Sequence, residues 1–257
     1  MKKCAFCDAE AVRKGGEHVW DDWLNRALPR QRYKARKRYS LHSPVIEYAA
    51  AKFDVKFAVV CAECNNGWMS DLTTKIKNCF SRAMLNGEPF SLDTRNSALL
   101  AAFTFMKAAV TNYEIDDDPF FTRAARENLR TSLTIPPFIK MWTAAYQGAA
   151  RMSAKNHLYI VSPKGKWQPF YGMEFCSFTY VVGKLAVQLL APRWRHIYDR
   201  GRPMLTITPN VMWRPATIQF WPYASNVSSW PPEKYLGEEI IESFIYRFNV
   251  PINVPIP

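Results

Sequence analysis

Four cysteines stand in two C-x2-C pairs, Cys4-Ala5-Phe6-Cys7 and Cys61-Ala62-Glu63-Cys64, with 53 residues between the pairs. Each pair offers two thiolates from one tight turn, and two such turns complete a tetrahedral zinc shell. Disulfide frameworks belong to oxidising compartments, and a thioredoxin-type redox motif needs only one pair, beside a βαβ pattern that this sequence lacks. The expected ligand set is therefore Cys4, Cys7, Cys61 and Cys64 around one structural Zn2+. Four thiolates leave that ion no open position, so any chemistry needs another centre. Cys79 and Cys176 stand alone and are expected as buried thiols.

Two further clusters of polar residues flank the cysteine pairs. Glu17-His18 follows the first pair, and Asn65-Asn66-Gly67-Trp68-Met69 follows the second without a gap. Taken in order, Cys4-x2-Cys7, Glu17-His18 and Cys61-x2-Cys64-Asn65 resemble the zinc-stapled HNH nucleases with a ββα-metal (treble-clef) core, in particular a stand-alone bacterial and phage subgroup. The resemblance covers about residues 4 to 75. It implies an acid–His pair on the first strand of a hairpin, and a helix starting at the second cysteine pair. It further implies that Glu17 and Asn65 hold a catalytic divalent cation, Mg2+ or Mn2+, for which oxygen ligands are suited. His18 carries over as the general base that deprotonates the attacking water, a task that suits an imidazole. Asp21 occupies a place where many members carry Pro, and Met69 one where a further His or Asn often joins the metal shell.

The stretch Arg26 to Arg38 is dense in positive charge and holds no acid. Arg30, Arg32, Lys34, Arg36, Lys37 and Arg38 are the expected phosphate-binding residues, supplying affinity and position without reading bases. The whole chain of 257 residues has a formal net charge of +12, which points to a polyanionic partner, DNA on the resemblance above. Its apolar fraction of 48% and charged fraction of 22% exclude a mainly disordered chain. The most apolar stretch, Ala98 to Val110, is broken by Lys107 and is too short to span a membrane. Met1-Lys2-Lys3 is basic like the start of a signal peptide, but Cys4 to Asp8 replaces the apolar region that would follow, so a cytoplasmic protein is expected.

These motifs need elements to position them, and the sequence reads as α+β in two parts. Residues 1–85 form the expected nuclease domain, closed by a turn at Asn86-Gly87-Glu88-Pro89. Residues 90–257 form a larger mixed α+β domain of unassigned role, able to choose substrate, recruit a protein partner or make a homo-oligomer. Asp93 or Thr94 caps a helix with apolar positions at Leu99, Leu100, Phe103, Met106 and Val110. Asp118-Pro119 reads as the start of a second helix that stops before Pro136-Pro137. Strands are expected over His157–Val161, Leu205–Thr208 and Thr217–Trp221, and a hairpin over Met173–Val182 and Lys184–Leu190 around Gly183. Glu238–Phe248 has helical spacing. Trp20, Trp23 and Trp68 are expected in core packing, as are the Trp-Pro steps of the second part.

The expected activity is a metal-dependent endonuclease or nickase, with antiviral defence or a mobile element as the setting the family implies. The rival expectation is a zinc module that binds nucleic acid or a protein partner without cleaving.

Overall fold

The computed structural model describes residues 3–12, 17–18, 20–28, 33–37, 46–50, 56–115, 119–148, 152–161, 173–194, 207–209, 215–223, 226–246 and 248–249. The fold is mixed α+β. In the front part, β1 (Glu17–His18) is followed by α1 (Asp22–Ala27), β2 (Tyr33–Lys37), β3 (Ile46–Ala50) and β4 (Lys56–Phe57). β2 and β3 pair with each other, while β1 pairs antiparallel with β4, Glu17 opposite Phe57 and His18 opposite Lys56. A short helix, α2 (Ala62–Cys64), runs through a kinked turn at Asn65–Met69 into α3 (Ser70–Asn86). Gly87 ends α3 in the left-handed conformation, φ +76°, as helix ends favour.

β5 (Phe90–Leu92) leads into α4 (Thr94–Ile115), the longest helix described. Asp93 caps it, its carboxylate accepting from the Asn96 N–H at 2.8 Å. α4 is buried all round its middle turns, from Leu100 to Val110, with Thr104 and Lys107 the polar residues among them. α5 (Arg123–Ser132) begins later than the Asp118-Pro119 reading expected. Thr122 caps it, and the Phe120 N–H instead donates to the Asn112 carboxamide oxygen at 2.6 Å, so Pro119 and Phe120 turn back onto α4.

The remainder builds one sheet. β6 (Lys140–Tyr146), β7 (Met152–Val161), β8 (Met173–Val182), β9 (Leu185–Trp194) and β11 (Thr217–Trp221) form it in the antiparallel order β11-β6-β9-β8-β7. Of the expected Leu205–Thr208 strand, only Thr208 falls in β10 (Thr208–Pro209), and residues 201–206 lie outside the described residues. β12 (Ser228–Trp230) pairs with β5, β13 (Tyr235–Leu236) runs parallel to β6, and β14 (Phe248–Asn249) pairs with β10 after α6 (Glu238–Tyr246).

Strand alternation divides the sheet's side chains between two layers. Phe178, Tyr180, Val182, Leu185, Val187 and Leu189 face α4, whereas Val181, Ala186, Ala144 and Tyr146 face Ile241, Phe244 and Ile245 of α6. α4 in turn contacts α3 and β4 on its other side. Residues from both sides of Asn86–Pro89 thus enter one hydrophobic cluster, which includes Trp20, Leu24, Phe80, Phe103 and Tyr180. The front part is too poor in large apolar runs to build a core by itself, and here it shares one.

A close joint lies where α3 meets the β8–β9 turn. Gly183 takes φ +56°, and the Lys184 N–H donates to the Met84 carbonyl at 2.7 Å. A Cβ at Gly183 would stand 2.0 Å from that carbonyl oxygen, so only glycine fits.

Candidate functional site

The two cysteine pairs converge. The Sγ atoms of Cys4, Cys7, Cys61 and Cys64 all lie within 4.8 Å of one another, and no disulfide joins them. A tetrahedral ion with Zn–S bonds of about 2.3 Å requires sulfur–sulfur edges of about 3.8 Å. Cys7 and Cys61 are 3.6 Å apart and Cys7 and Cys64 3.8 Å apart, so these two edges match what zinc needs and the cluster is compatible with a zinc site. Backbone N–H groups already aim at the sulfurs, Phe6 at Cys4 from 3.5 Å and Cys64 at Cys61 from 3.4 Å. Such donors favour the thiolate, the form a metal binds.

Burial pushes the Cys7 and Cys64 thiols up. Burial acts on Cys61 in the same sense, but the Cys64 N–H and the neighbouring thiols donate to its sulfur and leave it lowered. Cys61 thus loses its proton more readily than Cys7 or Cys64, and a bound cation would draw the protons from those two as well.

Packing and hydrogen bonds fix the first cysteine pair to the rest of the molecule. The Ala5 N–H donates to the Val59 carbonyl at 2.7 Å, and the Phe6 ring meets Trp68 edge-on at 5.0 Å. Arg126 of α5, itself buried, donates from Nε to the Ala5 carbonyl at 2.6 Å and from its guanidinium to Phe121 O, while stacking 4.7 Å from Tyr113. Burial lowers the Arg126 pKa without threatening its charge. Arg123 pairs with Asp8 at the surface and holds that carboxyl below its usual range.

The acid–His strand lies beside this cage. β1 pairs with β4, and only Ala58, Val59 and Val60 separate β4 from Cys61. His18 is half-buried, and the side chain of Glu17 lies outside the described residues. Asn65, also half-buried, is the first residue after the cage, its N–H bonded to the Cys61 carbonyl at 3.0 Å. β1 is thus tied by pairing to β4, and β4 to Asn65 by a short connection. Met69 is buried in the core.

Arg30, Arg32 and Arg38 of the basic run lie outside the described residues. Lys34, Arg36 and Lys37 fall on β2, opposite Ala49, Glu47 and Ile46 of β3, and their side chains are outside the described residues too. Arg26 is exposed and pairs with Asp22 one turn earlier, at 3.4 Å. Trp20 is fully buried, 5.1 Å from Tyr180, and Trp23 and Trp68 pack partly buried on the same core. Trp230 is buried against Phe90. Cys176 is buried as expected, but Cys79 is exposed on the outer side of α3, where the helix turns its polar residues to solvent.

Sequence reasoning missed Lys107. Its side chain is 0% exposed, and its Nζ lies 3.1 Å from the His18 carbonyl oxygen and 3.5 Å from Asp21 Oδ1. The available signal was a lone cation inside the apolar run of α4, read there only as an interruption.

No family model, curated protein or solved structure matches the chain. No helix among the described residues is long and apolar enough to cross a membrane.

Proposed function

We propose that the protein is a metal-dependent endonuclease of the HNH type acting on DNA, with zinc at the four cysteines as its structural staple. One observation carries the reading: the Glu17–His18 strand pairs with β4, which runs directly into the second cysteine pair, from whose end Asn65 opens the kinked helix. That order and pairing support a ββα-metal core. The four-thiol cage supports the zinc assignment by its size.

In this reading His18 accepts a proton from water as the water oxygen bonds to phosphorus. Glu17 and Asn65 would hold a Mg2+ or Mn2+ ion, which would supply positive charge against that developing on the phosphate and on the leaving 3′ oxygen. The P–O3′ bond breaks, the 3′ oxygen takes a proton from solvent, and the product ends are a 5′ phosphate and a 3′ hydroxyl. The basic run from Arg30 to Arg38 holds flanking phosphates.

Supercoiled plasmid incubated with Mg2+, Mn2+ or EDTA tests this. Nicked or linear product with metal and none with chelator is expected, and intact plasmid under every metal condition overturns the reading. Burial of Met69, where HNH enzymes often carry another ligand, favours the second reading, a zinc module that binds DNA or a protein without cleaving. Retarded but intact plasmid would select it.

A further inference from the structure

We infer that Lys107, a residue of α4 in the second part of the chain, is the positioning residue for His18. The kinetic half of this inference rests on the nuclease reading, whereas the geometric half does not.

A fully enclosed ammonium is costly unless it is paired and hydrogen-bonded, and an apolar side chain would pack α4 against its neighbours equally well. What the lysine adds is its grip. Its Nζ reaches the His18 carbonyl at 3.1 Å and the Asp21 carboxylate at 3.5 Å, and lies 5.4 Å from the Phe103 ring. It thereby contacts both His18 and Asp21.

Asp21 supplies an independent sign of the same arrangement. It stands at the N-cap of α1, where an aspartate ordinarily accepts from the first-turn N–H groups, yet its side chain makes no cap bond. The carboxylate turns inward to Lys107 instead, leaving Oδ2 buried and without a hydrogen-bond partner.

β1 pairs with β4 at Glu17–Phe57 and His18–Lys56, and the contact of Lys107 with the His18 carbonyl ties the same strand to α4. α4 is held between the sheet and the front part, so its Nζ is a fixed point from which the strand is hung. The second part of the chain thus completes the site as part of its frame.

The test compares wild type with Lys107→Met and with the double variant Lys107→Met/Asp21→Asn, which leaves no unpaired buried carboxylate. Three readouts are taken: the absorption of Co2+ bound at the four cysteines, the His18 ring resonances assigned through His18→Gln, and plasmid nicking. In the double variant the Co2+ spectrum should be retained and the His18 resonances should shift and broaden. Its kcat should fall about 10- to 100-fold with KM within about twofold, as misplacement of a reacting group predicts. Unchanged His18 resonances overturn the inference. So does loss of the Co2+ spectrum in the double variant, which would make Lys107 a residue of general stability. If wild type does not cut DNA at all, the nuclease reading fails, and the His18 resonances alone decide the role of Lys107.

Discussion

Arg126 on α5 donates to the carbonyl oxygen of Ala5, 2.6 Å away, across 121 positions of sequence. The acceptor lies between the first two cysteines of the metal cage. The guanidinium is sandwiched in place by Tyr113 and the Phe121 carbonyl, so the knuckle is anchored by the second part of the chain as well as by its own turn.

Arg126→Met should therefore destabilise the protein by about 2–4 kcal/mol, because it strands two buried carbonyl acceptors while keeping most of the apolar contact. It should also loosen the cage. Urea unfolding gives the first quantity, and zinc retention against a competing chelator gives the second. A variant as stable as wild type, or one with unaltered zinc retention, would count against the anchor.

Zinc content should be one ion per chain, and Cys61→Ser should remove it and unfold the front part. Serine offers a poor ligand and removes a thiol whose pKa its hydrogen-bond donors lower. Acid should release the metal, since protons compete for thiols that burial already keeps high at Cys7 and Cys64. Elemental analysis across a falling pH series checks both statements. Full zinc in Cys61→Ser contradicts the four-thiol site.

His18→Ala should lower cleavage by about 10²- to 10⁴-fold while zinc content and DNA binding stay near wild type. Glu17→Ala and Asn65→Ala should also lower cleavage, but through weaker cation binding, so higher Mn2+ should restore part of their activity. His18→Ala should resist that rescue, because extra metal supplies no base at the right atom. Equal rescue of all three variants would mean that the roles are assigned wrongly.

Alkaline pH should weaken the fold through the sheet. Cys176 is buried, and burial pushes its thiol up to about 12 from 9.0. The folded state therefore keeps a proton that the unfolded chain gives up, and stability is full below the unfolded value and falls as pH rises toward the folded one. The slope is about 1.4 kcal/mol per pH unit for one such group. Burial raises Tyr180 in the same direction, and it joins at higher pH. Urea midpoints between about pH 8 and about pH 10 should fall in wild type and fall less in Cys176→Ala. Parallel curves would place the alkaline transition elsewhere.

What could be read in the sequence was local. Cys4-x2-Cys7 and Cys61-x2-Cys64 announce a four-thiol cage because each pair shares one turn, and the ligand atoms are covalently close to the features that define them. Asp93 before the apolar spacing of α4, and Gly183 between two β-rich runs, fix a helix start and a hairpin for the same reason. The start of α5 was misread because Pro119 gives a local signal that a distant acceptor, Asn112, overrides. Cys79 was misread because its burial depends on which side of α3 meets α4.

The lysine clamp shows the limit most plainly. Nothing near Lys107 in sequence names His18 or Asp21 as its partners, 89 and 86 positions away. That choice is made by packing. One enclosed helix has to satisfy a charge, and the only groups that can do so are those the fold brings against it.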